Sequence, residues 1–228
     1  MTFAEIKTLI GDLTNDPNSE RYTASQRATE LDNSQESWNV EIGLIKDTAT
    51  ITVVEGTRQY ALSGLTGTPI RFTRVTHKGL LLNQRDKGYF DMYFGGSDWT
   101  TTTGTPTDFF AEVTDPDNQF LTVAPTPTGN DIGANLIAEY IKRHTSMSSD
   151  SDTPFMSGTT ANSLLRPFDW GLAYEASARL LARDPSEVNV PKSGNYAAIA
   201  RGVKQNVIQV FKAFEKSNPL RLQGGRRW

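Results

Sequence analysis

The sequence has no cysteine and only two histidines in 228 residues. The missing cysteine excludes disulfide bridges, thiolate metal sites and a cysteine nucleophile. His77 and His144 lack companions in the spacing of a zinc-protease or triad motif, so we expect surface or structural roles for both. No apolar run approaches the roughly 20 residues that span a bilayer, and no membrane segment is expected.

Motifs for binding phosphate or calcium are also missing. Neither GxxxxGK[ST] nor GxGxxG occurs, and Gly95-Gly96-Ser97-Asp98 has no strand-to-helix context. The acidic pairs Asp115/Asp117 and Asp150/Asp152 lack the central glycine and distal glutamate of a calcium loop, so solvated loop acids are expected. The sequence therefore predicts no catalytic residue, no cofactor and no metal, and we do not expect an enzyme.

Charge is distributed unevenly along the chain, whose overall net charge is −3. Residues 192–228 hold eight basic residues and one acidic residue (+7), whereas the other 191 residues hold 15 basic and 25 acidic residues (−10). This asymmetry is typical of a tail with a partner, and a solvated basic helix with a frayed end is the alternative. Because no nucleic-acid-reading motif occurs, we favour docking on an acidic protein surface.

Helical periodicity marks both ends of the chain. Thr2 and Glu5 fit a capping box at the start of a first helix. A second helix is predicted to begin near Tyr22 or Thr23 and to end near Gly43. Its face is weakly apolar until Trp38, so we expect it to pack on a neighbouring helix.

Two further helices are predicted toward the C-terminus. Pro167 suits the first turn of one, which ends at Arg183-Asp184-Pro185. The last helix is predicted to be capped by Ser193 and to end before Pro219. Its apolar stripe is predicted to comprise Tyr196, Ile199, Val203, Val207, Val210 and Phe214, and Ile208 and Phe211 widen it.

The middle of the chain has the alternation of β-strands. Residues 48–54 and 58–62 flank the turn Glu55-Gly56-Thr57 and are predicted to pair as a hairpin. Other strands are predicted at 70–76, 80–82, 109–113, 120–123 and 134–142. Turns at 77–79 and 115–118 are predicted to join neighbouring strands as hairpins, and a loop or short helix is predicted within 83–106.

These patterns predict an α+β fold. The N- and C-terminal helices form a small bundle into which an antiparallel β-sandwich or barrel of about six or seven short strands is inserted, and an extended C-terminal tail follows. The predicted boundaries are 1–46 for the N-terminal helices, 47–146 for the β-rich insertion, 147–162 for a polar loop, 163–218 for the C-terminal helices and 219–228 for the tail. The helical parts are expected to pack as one domain.

Five local features stand in a fixed order along the chain. They are Trp38 at the end of the second helix, the hairpin-like VEGTRQYAL at 54–62, GTPTDFF at 104–110, FLTVAPTP at 120–127 and the alanine-rich helix at 168–181. These features and the order of the elements resemble those of tailed-phage head-to-tail adaptor proteins, also called head completion or connector proteins, including the tail tubular protein A group. The similarity spans nearly the whole chain, although the first helix and residues 95–104 match no pattern of the family.

The resemblance implies a structural protein of the virion, located at the head–tail junction and assembled in the host cytoplasm. Such proteins form a ring, usually of twelve copies, beneath the portal; the ring extends the DNA channel and gives a tail or nozzle protein its platform. DNA would pass through without sequence-specific binding. Because the C-terminal segment of these proteins commonly reaches the portal, we predict a portal-docking interface at Leu220, Arg221, Leu222, Arg226, Arg227 and Trp228.

Two alternatives stay open at this point. One is a tail terminator or another ring protein of the virion. The other is a carbohydrate- or receptor-binding β module, in which exposed aromatic side chains would stack on sugars. These are Tyr89, Phe90, Tyr93, Phe94 and Trp99. Aromatic residues at this density are more typical of a core.

Overall fold

The structure, a computed structural model, describes residues 1–93, 101–113, 119–155, 164–184, 186 and 188–217. The chain divides into two compact units. The helical unit holds Met1–Ile45 and the chain from His144 through the last helix, and the β unit holds Lys46–Arg143. The described residues contain five α-helices: α1 (Phe3–Thr14), α2 (Ala24–Ile42), α3 (Lys87–Tyr93), α4 (Trp170–Arg183) and α5 (Asn189–Ser217).

The first two helices begin where the sequence predicts, the first at its predicted capping box and the second at Thr23. The backbone N–H of Glu5 donates to Thr2 Oγ1, and the backbone N–H of Thr2 donates to the Glu5 carboxylate. Thr23 and Gln26 form the same box at the start of α2, which ends at Gly43 with a left-handed φ of 76°. Each box satisfies two backbone N–H groups that lack partners within the helix, and both predicted helix starts are confirmed.

The predicted start of the last helix is wrong. The helix begins at Asn189, whose backbone N–H donates to Ser186 Oγ at 3.1 Å. Ser193 lies inside α5, where its hydroxyl donates to the carbonyl of Ala178 on α4 at 2.9 Å. Pro191 lies in the first turn, where a missing N–H leaves no intrahelical hydrogen bond unmade, so it does not delay the helix.

The buried stripe of α5 is also rotated from the predicted one. Val203, Val207 and Phe211 are buried as expected, but Ala200 is also buried and Ile199 is 40% exposed. α5 packs mainly on α4. The small Ala200 carries little weight in a hydrophobic pattern, which is why the larger Ile199 next to it was assigned to the core.

α4 is the central helix of the helical unit and packs on α1, α2 and α5. A short 3₁₀ turn, Arg166–Phe168, precedes it and contains Pro167, as the sequence predicts for a first helical turn. The helices α2 and α5 approach α4 closely at Gly171. A Cβ atom at this position would lie 2.6 Å from Val203 Cγ1 on α5 and 2.9 Å from Trp38 Cη2 on α2. The buried core includes Ile6, Ile10, Leu31, Trp38, Leu172, Leu180 and Val207.

The β unit contains two four-stranded sheets within the described residues. The first has the order β1-β8-β3-β4 and the second the order β2-β7-β6-β5. The strands are β1 (Lys46–Thr52), β2 (Gln59–Ala61), β3 (Pro69–His77), β4 (Leu80–Leu81), β5 (Asn83–Gln84), β6 (Asp108–Glu112), β7 (Phe120–Ala124) and β8 (Asn135–Lys142).

The predicted hairpin between 48–54 and 58–62 is wrong. The turn itself is present, with Gly56 at a φ of 71°, but β1 pairs with β8 and β2 pairs with β7 in the other sheet. The β1–β8 ladder runs antiparallel over seven residue pairs, whereas β2 is only three residues long and could not match it. The expected hairpins β3–β4 and β6–β7 are present.

Two further features of the sheets differ from prediction. β5 pairs with β6 in parallel, so the β unit is not purely antiparallel. The described strands do not close into a barrel. One buried cluster draws Val75 and Leu136 from the first sheet and Phe109 and Leu121 from the second, which is consistent with the sandwich alternative.

Candidate interaction surfaces

The portal-docking residues predicted from the sequence lie outside the described residues, as does the predicted turn at 115–118. The docking residues are Leu220, Arg221, Leu222, Arg226, Arg227 and Trp228. α5 is described to Ser217, so the tail follows that helix almost directly. Their contact with a portal therefore stays a prediction.

Part of the basic charge of α5 is neutralised within the helical unit. Lys204 Nζ lies 2.8 Å from the Glu41 carboxylate and donates to Ser37 Oγ at 3.2 Å. Arg201, three residues earlier, is exposed and has no hydrogen bond or ion pair to any other described residue. The charge that remains available to a partner therefore differs from the formal count of basic residues.

His144, the first residue of the helical unit after the β unit, contacts two carboxylates of α2. Its Nδ1 lies 3.1 Å from the Glu36 carboxylate and its Nε2 lies 3.2 Å from the Asp32 carboxylate. Burial alone lowers the pKa of His144, but the hydrogen bonds to Asp32 and Glu36 outweigh it and raise the pKa above its ordinary value. Burial likewise acts to raise the pKa of Asp32, and hydrogen bonding, first of all from His144, lowers it overall. His144 therefore has a structural role.

A buried carboxylate, Asp131, joins three loops of the β unit. Its oxygens lie 3.2 Å from His77 Nε2, 2.8 Å from Lys78 Nζ and 3.1 Å from Thr105 Oγ1, and the backbone N–H of Thr128 donates to it. Burial acts to raise the pKa of Asp131, but the hydrogen bonds, first of all from Lys78, hold it well below the ordinary value. The second histidine is therefore also structural, and it is buried rather than exposed.

Large aliphatic side chains are exposed at the end of the first sheet where His77 contacts Asp131. Leu80 and Leu81 are 67% and 65% exposed, and Ile132 and Val54 are more than half exposed. The register places this end of β1, β8 and β3 side by side. Exposed apolar side chains gathered in this way are typical of interaction sites, and the sequence alone did not reveal them.

The aromatic residues proposed as a sugar-binding platform are only partly described. Phe90 on α3 is fully buried, and its ring packs against Phe110 with centroids 4.9 Å apart. Tyr89 meets the Phe90 ring edge-on and lies under the Arg85 guanidinium. Phe94 and Trp99 lie outside the described residues. Phe90 cannot stack on a sugar in this arrangement, so it is a core residue.

The acidic residues suggested as loop acids make local contacts. Asp150 forms an ion pair with Lys7 at 2.8 Å, and the Asp152 carboxylate accepts hydrogen bonds from the backbone N–H groups of Ser148 and Ser149. Asp115 and Asp117 lie outside the described residues. In the part of the chain that the structure describes, no cluster of histidine and carboxylate side chains could hold a metal ion.

The pair of helices α4 and α5 has two different long edges. A groove of about 470 Å³ runs along one edge and is floored by small side chains. These are Ala178, Ala182, Ala197 and Ala200, and Arg179 and Arg201 stand beside them. We call this the α4–α5 groove. The sequence predicts helices here but gives no sign of the groove, because alanine is common on all faces of a helix.

The other edge carries stacked aromatic rings. Trp170 meets Tyr174 with centroids 5.6 Å apart, and Tyr174 meets Tyr196 of α5 at 5.1 Å, both edge-on. Ile199 follows Tyr196 by three residues and therefore lies on the same side of α5. Trp170 is 38% exposed. We call Trp170, Tyr174, Tyr196 and Ile199 the aromatic edge.

Comparison with known proteins gives a match to the family model described as SU10 adaptor protein, over residues 1–213. The chain belongs to the SU10 adaptor protein family. A search of curated proteins finds no match. The match extends through both described units and most of α5, and it confirms the resemblance to phage adaptor proteins at the level of the family.

Membership of this family makes the chain a structural adaptor-type protein of a phage and implies a location in the virion. A structural family agrees with the expectation that the chain is not an enzyme. Among the described residues, no helix is long and apolar enough to cross a membrane. The matched range stops at residue 213, so the predicted docking residues from Leu220 onward lie beyond it.

Proposed function

We propose that this SU10 adaptor protein forms a ring beneath the portal of a tailed phage, at the head–tail junction. The observation that carries the proposal is the match of the adaptor family model to residues 1–213. The order of elements resembles the tail tubular protein A group of head completion proteins, which supports this assignment over a tail terminator. In this role the ring extends the DNA channel and gives a tail or nozzle protein its platform.

The C-terminal tail is the part that we propose attaches the ring to the portal. Residues 192–228 carry a net charge of +7 on an otherwise acidic chain. Several basic residues of α5 belong to that charge, and one of them, Lys204, is already paired with Glu41, so the charge available for docking is smaller than the formal count. We assign the docking role to the arginines of the tail. Repetition of the tail around a ring would multiply weak contacts with the portal through avidity.

The proposal is tested by deleting residues 219–228. We expect the shortened chain to lose co-sedimentation with portal rings while its far-UV circular dichroism and unfolding midpoint stay unchanged. Replacing Arg221, Arg226 and Arg227 by glutamine is expected to weaken attachment and to reduce its salt dependence, since salt screens exposed charges. Replacing Leu220 and Leu222 by serine tests the apolar part alone.

A matched control is Lys212→Gln, which removes a basic residue from the described part of α5 and leaves the tail intact. It is expected to attach as the unchanged chain does. Full co-sedimentation of the shortened chain would overturn the docking role of the tail. Imaging of the complex would count the copies, for which the resemblance suggests twelve, and would show whether DNA can pass through the ring.

A further inference from the structure

We infer that the aromatic edge of one copy of this chain seats in the α4–α5 groove of the next copy, and that this contact joins neighbouring subunits. The inference deepens the proposed ring by naming the surfaces that build it, and it rests on that proposed function. The occupant of the groove is a second copy of this chain. The two surfaces lie on the same pair of helices, so each copy offers one surface to each of two neighbours.

The geometry of α5 separates the two surfaces. Ile199 is two residues from both Ala197 and Arg201, which line the groove. Two residues along an α-helix correspond to a rotation of about 200°, so Ile199 points to the opposite side of α5. One copy therefore cannot fill its own groove with its own aromatic edge.

The chemistry of the two surfaces is complementary. The groove is wide because its floor consists of alanine side chains, and it holds an exposed guanidinium, Arg201, that has no partner among the described residues. The opposite edge offers a partly exposed indole, Trp170, and the exposed aliphatic side chain of Ile199. An arginine over an indole face is a favourable cation–π pair, and tryptophan, tyrosine and arginine dominate the energetics of protein interfaces.

Contacts within the chain fix side chains of both surfaces in the absence of a partner. Trp170 Nε1 donates to the carbonyl of Pro167 at 3.1 Å, and its ring rests edge-on against Tyr174. Across the pair, Arg179 is tied to Glu175 at 2.8 Å at the side of the groove. Surfaces that are already ordered lose little conformational entropy on association.

The two surfaces differ from each other, and this decides the kind of assembly. Contact between unlike patches on one chain is heterologous, so a dimer leaves one edge and one groove unused. Further copies add until rotation closes a ring. Two-fold pairing, in which the same patch meets itself, would instead stop at two copies.

The missing cysteine allows a direct test on the full chain. The double variant Ile199→Cys with Ala182→Cys is treated with a short bis-maleimide cross-linker. We expect a ladder of covalent dimers, trimers and larger species, while each single variant gives no species beyond a dimer. The matched control pairs Ile199→Cys with Thr8→Cys, an exposed position on α1, and is expected to give no ladder. A ladder that is no stronger than that of the control would overturn the inference.

A second measurement avoids the cross-linker. Ile199→Asp removes the edge and Ala182→Arg fills the groove, and each variant alone is expected to self-associate at least about tenfold more weakly than the unchanged chain. Mixed together, they should form a 1:1 pair and nothing larger, because one intact edge still meets one intact groove. Unfolding curves that match the unchanged chain check that both variants fold.

The outcomes also separate this inference from the proposed function. If Ile199→Asp and Ala182→Arg each assemble on portal rings as fully as the unchanged chain does, the assigned surfaces are wrong and the portal adaptor role stands. If the double-cysteine ladder forms but the unchanged chain never joins a portal ring, the surfaces are right and the proposed location is wrong.

Discussion

Replacing Gly171 by alanine tests the close approach of α4, α5 and α2. The added Cβ would lie 2.6 Å from Val203 Cγ1 and 2.9 Å from Trp38 Cη2, both closer than ordinary van der Waals contact. Neither neighbour can yield easily. Val203 is a buried β-branched residue with one strongly preferred rotamer in a helix, and Trp38 is buried with its indole N–H bonded to Glu175.

The expected loss follows from two opposing effects. Overpacking of a filled core costs about 1–3 kcal/mol. Glycine to alanine within a helix returns about 0.5–1 kcal/mol, and less at Gly171, which is the second residue of α4. We therefore expect Gly171→Ala to lower the free energy of unfolding of the helical unit by about 1–2 kcal/mol.

The assay is urea unfolding followed by far-UV circular dichroism, whose signal comes mainly from the helical unit. Gly202→Ala is the matched control, since it makes the same change inside α5 at a position with nothing within 4 Å of the new Cβ. That variant should become more stable by up to about 1 kcal/mol. Equal stability of Gly171→Ala and the unchanged chain, or shifts of both variants in the same direction, would refute the steric argument.

Two further predictions concern the buried ionic groups. The ion pairs of protonated His144 with Asp32 and Glu36 stabilise the helical unit fully below the ordinary histidine pKa of about 6.5, and this stabilisation is lost as the pH rises through the raised pKa of His144. His144→Gln should therefore flatten the decline in urea midpoint above about pH 6.5, and an unchanged slope would contradict this. Asp131→Asn leaves Lys78 and His77 without their buried anion and should destabilise the β unit by about 3 kcal/mol in thermal unfolding. The exposed Asp150→Asn should change stability by less than about 1 kcal/mol, and equal losses in the two variants would refute the assigned role of Asp131.

The ends of the first helices could be predicted because capping is local. Thr2 with Glu5, Thr23 and Gly43 act on backbone groups within a few residues of themselves, so a short stretch of sequence contains all the information. Ser193 shows the limit of the same reasoning. A serine can cap a helix or donate to a neighbouring helix, and only the position of Ala178 on α4 decides which.

The pairing of strands could not be predicted in the same way. Alternating residues in 48–54 indicate a strand whose two faces differ in burial, but they do not identify the strand with which it pairs. The nearest candidate in sequence was the strand at 58–62, and the true partner, β8, begins at Asn135. Two short strands that flank a turn have the same local sequence pattern whether they pair as a hairpin or belong to different sheets. Which strands pair is therefore decided by how the side chains pack in the core, and not by the local pattern.

The weakly apolar face of α2 has a physical explanation that hydrophobic patterning missed. Gln35 Oε1 accepts the backbone N–H of Phe155, and Asn39 Oδ1 accepts that of Ile45, each at 3.0 Å. Buried polar side chains that satisfy backbone groups replace the apolar residues expected at these positions.

Side chains of α2 bind the chain both where it leaves the helical unit and where it returns to it. Asn39 fixes Ile45, the last residue before the β unit, and Asp32 and Glu36 fix His144, the first residue after it. The first and last of these three side chains, Asp32 and Asn39, are seven positions apart on α2, which corresponds to about 10 Å along the helix axis. Because the exit and the return are both anchored on α2, the helical core does not depend on the inserted chain to keep them in place. An insertion as long as Lys46–Arg143 can therefore be accommodated between two helices of one core.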